Sequence, residues 1–303
     1  MRGFLAAGRQ VYGCDEAGPC GYGLHRELLA AGATNYVVVA EALGGARQQK
    51  TDALDAAALA DRLDRSVRSN PQAFSVVTVP TPAAEQARAE GRLRGQLKRT
   101  RHEWEARGRS LLLVHGHHVT GPWWTARRWT ELPPTLSAWL VQELEIMRTV
   151  LATVDAQETT RRKTLEAAAP KVLPKAVGAL TWVLLAREIC DWGRFKNRRQ
   201  VSSYTDLCPG VQQSGGRKRD GGINRHGNPR VRALLIELVW RLTRWQPDYP
   251  PVKALVAGIA RGAARRKLAV AAARKLAVDL WRLATGQTTP EKLHLIVPAE
   301  VPA

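Results

Sequence analysis

With 303 residues, the chain is long enough for two domains that each bury a core. Lys and Arg number 46 against 27 Asp and Glu, a net charge of +19, so the partner is polyanionic and most simply a nucleic acid. No apolar run approaches spanning length and no signal-peptide pattern opens the chain, which argues against a membrane role and for a cytoplasmic protein.

Residues 11–14 read as a short strand running into the breaker-rich turn Asp15–Gly21. A helix over 22–31, stopped by Gly32, and a strand over 36–40 follow. Strand–helix–strand implies parallel pairing and an α/β domain, whose ligands gather at the carboxyl ends of the strands. Asp15 and Glu16 fall at such an end. Past Gly44–Gly45, Asp52 and Asp55 open an alanine-rich helix to about Leu63 and share one of its faces. Two carboxylates that close repel unless a cation lies between them, and Mg2+ is held in this way together with substrate phosphates. The alternative is a solvated acidic face, since Asp61 and Asp64 continue the run beside Arg62 and Arg65. A strand over 76–79 ends at Pro80 and Pro82. The four cysteines, Cys14, Cys20, Cys190 and Cys208, form no Cys-x-x-Cys pair and read as free thiols.

From Ala83 the pattern is that of long charged helices. Leu93, Leu97, Trp104 and Leu111 recur at helical spacing, as do Leu136, Leu140, Leu144, Met147, Leu151 and Val154, so two helices pack antiparallel. Residues 116–134 break the pattern and carry Trp123, Trp124 and Trp129, which pack the tip of this arm or a subunit contact, or stack on bases. His115, His117 and His118 have no evident fourth partner for a metal. The two stripes hold more apolar surface than one thin arm buries, which predicts a homo-oligomer joined through 93–154.

Pro170 and Pro174 mark a boundary, and the turn over 173–178 offers backbone N–H groups to a phosphate ahead of an apolar helix to Ile189. Helices are expected over 195–204, 233–245 and most of 252–284, the last strongly basic through Arg261, Arg265, Arg266, Lys267, Arg274, Lys275 and Arg282, which fits a phosphate-facing surface. The tail from Gly286 is expected to be poorly ordered. The segment 212–232 has almost no apolar content, and its five glycines allow it to lie close against another backbone. Arg217, Lys218, Arg219, Arg225, Arg230 and Arg232 suit it to phosphates. Ser214, next to Gly215–Gly216, is a nucleophile or a turn former; composition does not separate the two.

Three motifs occur in order: Glu16-Ala-Gly-Pro-Cys-Gly-Tyr-Gly, Lys50-Thr-Asp-Ala-Leu-Asp-Ala, and Gln213-Ser-Gly-Gly with Gly227-Asn-Pro-Arg-Val-Arg. Together they resemble the transposases of the insertion-sequence one-ten type and its one-eleven-eleven relatives, from about Val11 to Leu283. The resemblance implies an α/β ribonuclease-H-like, resolvase-like domain over 1–82. A coiled-coil arm over 83–169, a mainly α-helical transposase domain over 170–285 and a tail over 286–303 complete it. It places Glu16, Asp52 and Asp55 at three of the family's four acidic positions, binding Mg2+, and Ser214 at the nucleophile. It implies DNA as substrate, a phosphoserine link to it, and in some members a structured bridge RNA as guide.

The family's first aspartate lies upstream in a Gly-x-Asp strand, and no Asp precedes Asp15 here, so the first domain is expected to be incomplete, by truncation or a misassigned start. Asp15 adjoins Glu16 and is expected to point off the shared face. Asp206 stands where glycine is usual in the family. Two other readings stay open, an inactive nucleic-acid-binding remnant and a metal-dependent nuclease that uses water. A covalent serine–DNA adduct separates them from a recombinase.

Overall fold

In the computed structural model, residues 2–39, 51–214, 217–223, 227–258 and 261–298 are described. They form two units, Met1–Thr81 and Pro82–Ala303.

The first unit runs α1 (Arg2–Ala6), β1 (Tyr12–Glu16), α2 (Gly23–Ala30), β2 (Thr34–Val38) and α3 (Asp52–Arg68). β1 and β2 pair in parallel from Tyr12↔Thr34 to Glu16↔Val38, the expected strand–helix–strand unit. The first strand outlasts its expected end because the ladder continues through Ala17 N–H, which donates to the Val38 carbonyl at 2.8 Å. Asp15 and Glu16 therefore lie in the strand and not in the turn. The strand expected over 76–79 contracts to one antiparallel bridge, Val38↔Val76. Pro80 and Pro82 lack the donors that would extend it. Ala33, Val37, Val38 and Phe74 are buried, and α2 and α3 bury no residue fully, so this core is small. A two-stranded parallel sheet is the α/β part; the rest of the protein is mainly helical.

The second unit opens with α4 (Pro82–Val114), α5 (Ala126–Thr130) and α6 (Ala138–Ala167). The pairing of α4 with α6 is antiparallel: Arg94 meets Glu158, Arg101 meets Asp155, and Leu112 shares a core with Leu140 and Leu144. Trp123 closes that core, fully buried, its indole N–H donating to the Glu105 carbonyl at 3.0 Å. It fits because position 108 is glycine; a Cβ there would stand 2.0 Å from an indole carbon. The tryptophans of 116–134 thus pack the arm's tip, with Trp129 6.2 Å from Trp123 between ring centres.

Beyond the arm come α7 (Ala179–Ile189), α8 (Arg198–Thr205), β3 (Pro209–Ser214), β4 (Arg217–Ile223), α9 (Pro229–Trp245), α10 (Lys253–Val256) and α11 (Gly262–Ala284). Val231, Leu235, Leu238 and Leu242 of α9 pack on Ala269, Ala272, Ala273, Leu276 and Leu280 of α11. Small alanines on α11 let the two helices approach closely. The described part of the tail, to residue 298, is not loose as expected. Leu295 is buried, and the fully buried Gln246 side chain holds both the N–H and the carbonyl of Ile296, at 2.8 and 2.9 Å. Among the described residues, no helix is long and apolar enough to cross a membrane.

Candidate nucleic-acid interface

The glycine-rich stretch forms an antiparallel hairpin, with β3 and β4 in register from Gln212↔Arg219 to Ser214↔Arg217. Two residues, Gly215–Gly216, separate the strands in sequence, the spacing of a two-residue hairpin. Ser214 is the last residue of β3 and lies opposite Arg217. The side chains of Ser214, Arg217, Lys218 and Arg219 lie outside the described residues, as does Arg225 altogether.

The hairpin's exit is fixed by a network around a buried acid. Gly227–Asn228 leads into α9, and the Asn228 side chain accepts from the N–H groups of Arg230 and Val231 as the N-cap. Its amide donates to the Glu188 carboxylate at 2.9 Å and to the Tyr204 hydroxyl at 3.1 Å. Glu188 is 5% exposed, on α7, and also receives two hydrogen bonds from Arg92 of α4, each 3.0 Å. Arg88 stands 3.8 Å away. Burial alone would raise the Glu188 pKa, but the hydrogen bonds of Arg92 and Asn228 and the charges of Arg92 and Arg88 outweigh it and hold it below the usual range. Arg230, expected on phosphate, is half-exposed and leans to 4.0 Å from the same carboxylate. Arg232 donates to the Thr205 carbonyl at 3.4 Å, at the end of α8.

Two local features explain this segment's sequence. Asp206 has φ 50° at the end of α8, a left-handed position that favours glycine, and its carboxylate accepts from Gly227 N–H at 3.1 Å. At Gly227 a Cβ would come within 2.5 Å of the Tyr204 carbonyl oxygen, so no side chain fits.

Beside the hairpin lies a groove of about 1050 Å³. Arg266, Lys267, Arg274, Lys275 and Arg282 of α11 line it, with Arg198 and Arg199 of α8 and Lys292 near the tail. Five of the seven cations that the sequence marks in this stretch line the groove, and Arg261 and Arg265 do not; Arg198, Arg199 and Lys292 do not stand out in the sequence. Among the described residues lining the groove, these eight cations face one carboxylate, Asp279. Burial raises the Asp279 pKa, against lowering by the Tyr249 hydrogen bond at 2.8 Å and by the charges of Arg282 and Lys275. The floor is apolar, with Ile223 at the end of β4, Pro250, Pro251, Val270 and Val278.

In the first unit, the Cys14 thiol donates to the Leu59 carbonyl of α3 at 3.8 Å, and burial raises its pKa, helped by the charge of Asp15. Strand alternation puts Glu16 on the same face of β1 as Cys14, while Asp55 and Asp52 precede Leu59 by one and two helical turns. Asp15 is on the opposite face, accepting from the Asn35 amide at 2.6 Å, as expected of it. Asp52 and Asp55 also serve α3 itself. Thr51 caps the helix, the two acids occupy its first turn and Arg65 and Arg68 its last, the arrangement that complements the helix dipole. Their oxygens suit Mg2+. Even so, no group of three or more His, Cys, Asp or Glu among the described residues is placed to hold a metal ion, so Glu16, Asp52 and Asp55 do not form such a group.

A basic groove beside a hairpin whose first strand ends in serine defines a protein suited to polyanions. Comparison with known proteins narrows the class. Residues 175–252, which hold the hairpin with Glu188, Tyr204 and Asn228 of its anchoring network, match the Transposase IS116/IS110/IS902 family. The protein named "Putative transposase y4rJ" of Sinorhizobium fredii is 31% identical over 302 residues, covering 88% of this chain and 75% of that protein. The like-named y4qE of the same organism is 33% identical over 250 residues, covering 80% of this chain and 60% of its own length. The transposase for insertion sequence element IS1111A of Coxiella burnetii is 31% identical over 114 residues, 37% of this chain and 31% of that protein. The chain belongs to the IS116/IS110/IS902 family of insertion-sequence transposases.

Proposed function

We propose that the protein is a DNA recombinase of an insertion sequence, in which Ser214 attacks a DNA phosphodiester. The observation that carries this reading is the backbone position of Ser214, last in β3, followed by Gly215–Gly216 and opposite Arg217. Glycines beside the serine suit the close approach of another backbone, and arginine at 217 is a residue type that pairs with phosphate. In the step, a bond forms from the serine oxygen to phosphorus and the bond to one deoxyribose oxygen breaks. The serine gives up its proton and the departing oxygen gains one. The phosphoserine link keeps the energy of the broken bond, so a hydroxyl from another strand reverses the step and reseals the DNA without ATP. Arg217, Lys218, Arg219, Arg225, Arg230 and Arg232 are assigned to the nucleic acid in this reading.

Glu16, Asp52 and Asp55 are proposed to hold Mg2+ with the substrate's phosphates, and the ion supplies neutralisation of the phosphodiester when bound. The carboxylate chemistry and the place of Asp52 and Asp55 together in the first turn of α3 support this, and no step above is routed through the ion. An incomplete ribonuclease-H-like fold of the first unit, a structured guide RNA and a homo-oligomer belong to the same proposal. Exposed apolar residues on the arm, among them Val114, Trp139 and Ile146, support the last.

The test is denaturing electrophoresis of the protein with end-labelled DNA. Ser214→Ala is expected to keep nucleic-acid binding, lose strand exchange and form no covalent adduct. An adduct that survives the change assigns the nucleophile elsewhere; cleavage without any adduct assigns the attack to water.

A further inference from the structure

The basic groove has a chemistry that a double helix does not fill. α11 divides its two faces sharply. Ala269, Ala273, Leu276 and Leu280 are buried in the core, while Arg266, Val270, Arg274, Val278 and Arg282, spaced by four residues, line the groove. The stripe from 266 to 282 is about 24 Å long at 1.5 Å per residue. Cations alone would suit the phosphates of any nucleic acid. Between them, however, lies an apolar floor: Val270 and Val278 with Pro250, Pro251 and Ile223.

Paired bases hide their faces inside the duplex and offer only phosphates and groove edges, which would leave this floor wet. Unpaired bases expose apolar faces that such a surface can cover, with the phosphates following the cationic rim. Asp279 is tied to Tyr249 at 2.8 Å and sits 3.8 Å from Arg282, so the groove's one described carboxylate is already partnered and does not oppose an anion with a free charge.

We propose that this groove seats an unpaired stretch of nucleic acid, its phosphates on Arg274, Lys275 and Arg282 and its bases on the Val270–Val278 floor. The inference rests on the nucleic-acid part of the proposed function and is independent of Ser214.

The experiment measures binding of the full chain by fluorescence anisotropy. The labelled oligonucleotides are a single-stranded DNA, the same sequence as RNA, the same sequence as a duplex, and a DNA strand whose central bases are replaced by abasic linkers. Ala271 is exposed on the groove face of α11, so Ala271→Glu sets a carboxylate on the floor in a helix that tolerates it. Single strands are expected to bind at least tenfold tighter than the duplex, and abasic replacement or Ala271→Glu to weaken them at least tenfold. The paired change Arg274→Ala and Lys275→Ala should reduce the slope of log K against log salt for single strands by about 1.4, at roughly 0.7 for each phosphate no longer neutralised. RNA binding more tightly than DNA, or the reverse, identifies the source. A duplex that binds as well, or an abasic strand that binds unchanged, overturns the inference while leaving duplex binding and the transposase reading intact. An acidic peptide that displaces the strand stoichiometrically overturns it in favour of a protein partner. Failure of every nucleic acid to bind removes the functional reading as well.

Discussion

Two glycines of one helix should respond to the same substitution with opposite sign. Both Gly95 and Gly108 lie inside α4, where replacing glycine by alanine ordinarily gains about 1 kcal/mol of helix propensity. At Gly95 an added Cβ meets no described atom within 4 Å, so Gly95→Ala should gain that amount. At Gly108 it would stand 2.0 and 2.5 Å from ring carbons of Trp123 and 2.9 Å from its ring nitrogen. The indole is fully buried and cannot tilt without losing its hydrogen bond to the Glu105 carbonyl. Overpacking of this kind costs roughly 1–3 kcal/mol if the ring shifts. Full release of the ring exposes about 150–250 Å², or about 4–6 kcal/mol at 25 cal/mol per Å². Set against the propensity gain, Gly108→Ala should lose about 2–4 kcal/mol, between those limits. Urea unfolding followed by far-ultraviolet circular dichroism measures both, since ten tryptophans would blur a fluorescence signal. Equal midpoints for the two variants would refute the seating of Trp123 against α4.

The Glu188 network makes the protein sensitive to acid. A carboxylate whose pKa is depressed on folding contributes stability that is present above its unfolded value, near 4.5, and lost as pH falls through its folded value. Glu188→Gln should therefore lower stability at neutral pH and flatten its decline below about pH 4.5, measured as urea midpoints against pH; an unchanged acid limb would exclude Glu188 as the cause. On the arm, Trp139 and Ile146 are 52% and 55% exposed and two turns apart on one helix face, which favours a second copy as partner. Sedimentation at about ten micromolar, well above typical obligate-dimer constants, should show a dimer or larger species that Trp139→Glu dissociates. A wild-type monomer at that concentration would count against self-association.

The arm is legible because apolar residues recur at helical spacing over 93–111 and again over 136–154, and the strand–helix–strand unit because Gly32 and the turn at 17–21 punctuate it. The hairpin is harder. Residues 212–220 show no apolar alternation, so only the Gly-Gly spacing announces two strands. Glu188 is inconspicuous inside an otherwise apolar helix, although a lone acid in such a setting signals a buried, paired charge. Its arginine partners lie about a hundred residues upstream, a distance that periodicity does not bridge. Gly227-Asn-Pro-Arg reads as a phosphate grip, whereas Asn228 caps α9 and Gly227 is demanded by the Tyr204 carbonyl. The order of the described part of the tail rests on buried Leu295 and on hydrogen bonds of Ile296 with Gln246 and with the Lys175 N–H, partners that nothing local reveals.

The carboxylate at position 188 has a consequence for inheritance. Arg88 and Arg92 belong to the arm, Glu188 to the helix that follows it, and Asn228 to the segment that leaves the hairpin, yet all converge on one side chain. An arm transplanted from a relative with other residues at 88 and 92 would leave a buried anion without its counter-ions, and the first casualty would be the cap that seats the hairpin. Chimaeras that exchange these parts should work only when the two arginines, the glutamate and the asparagine travel together.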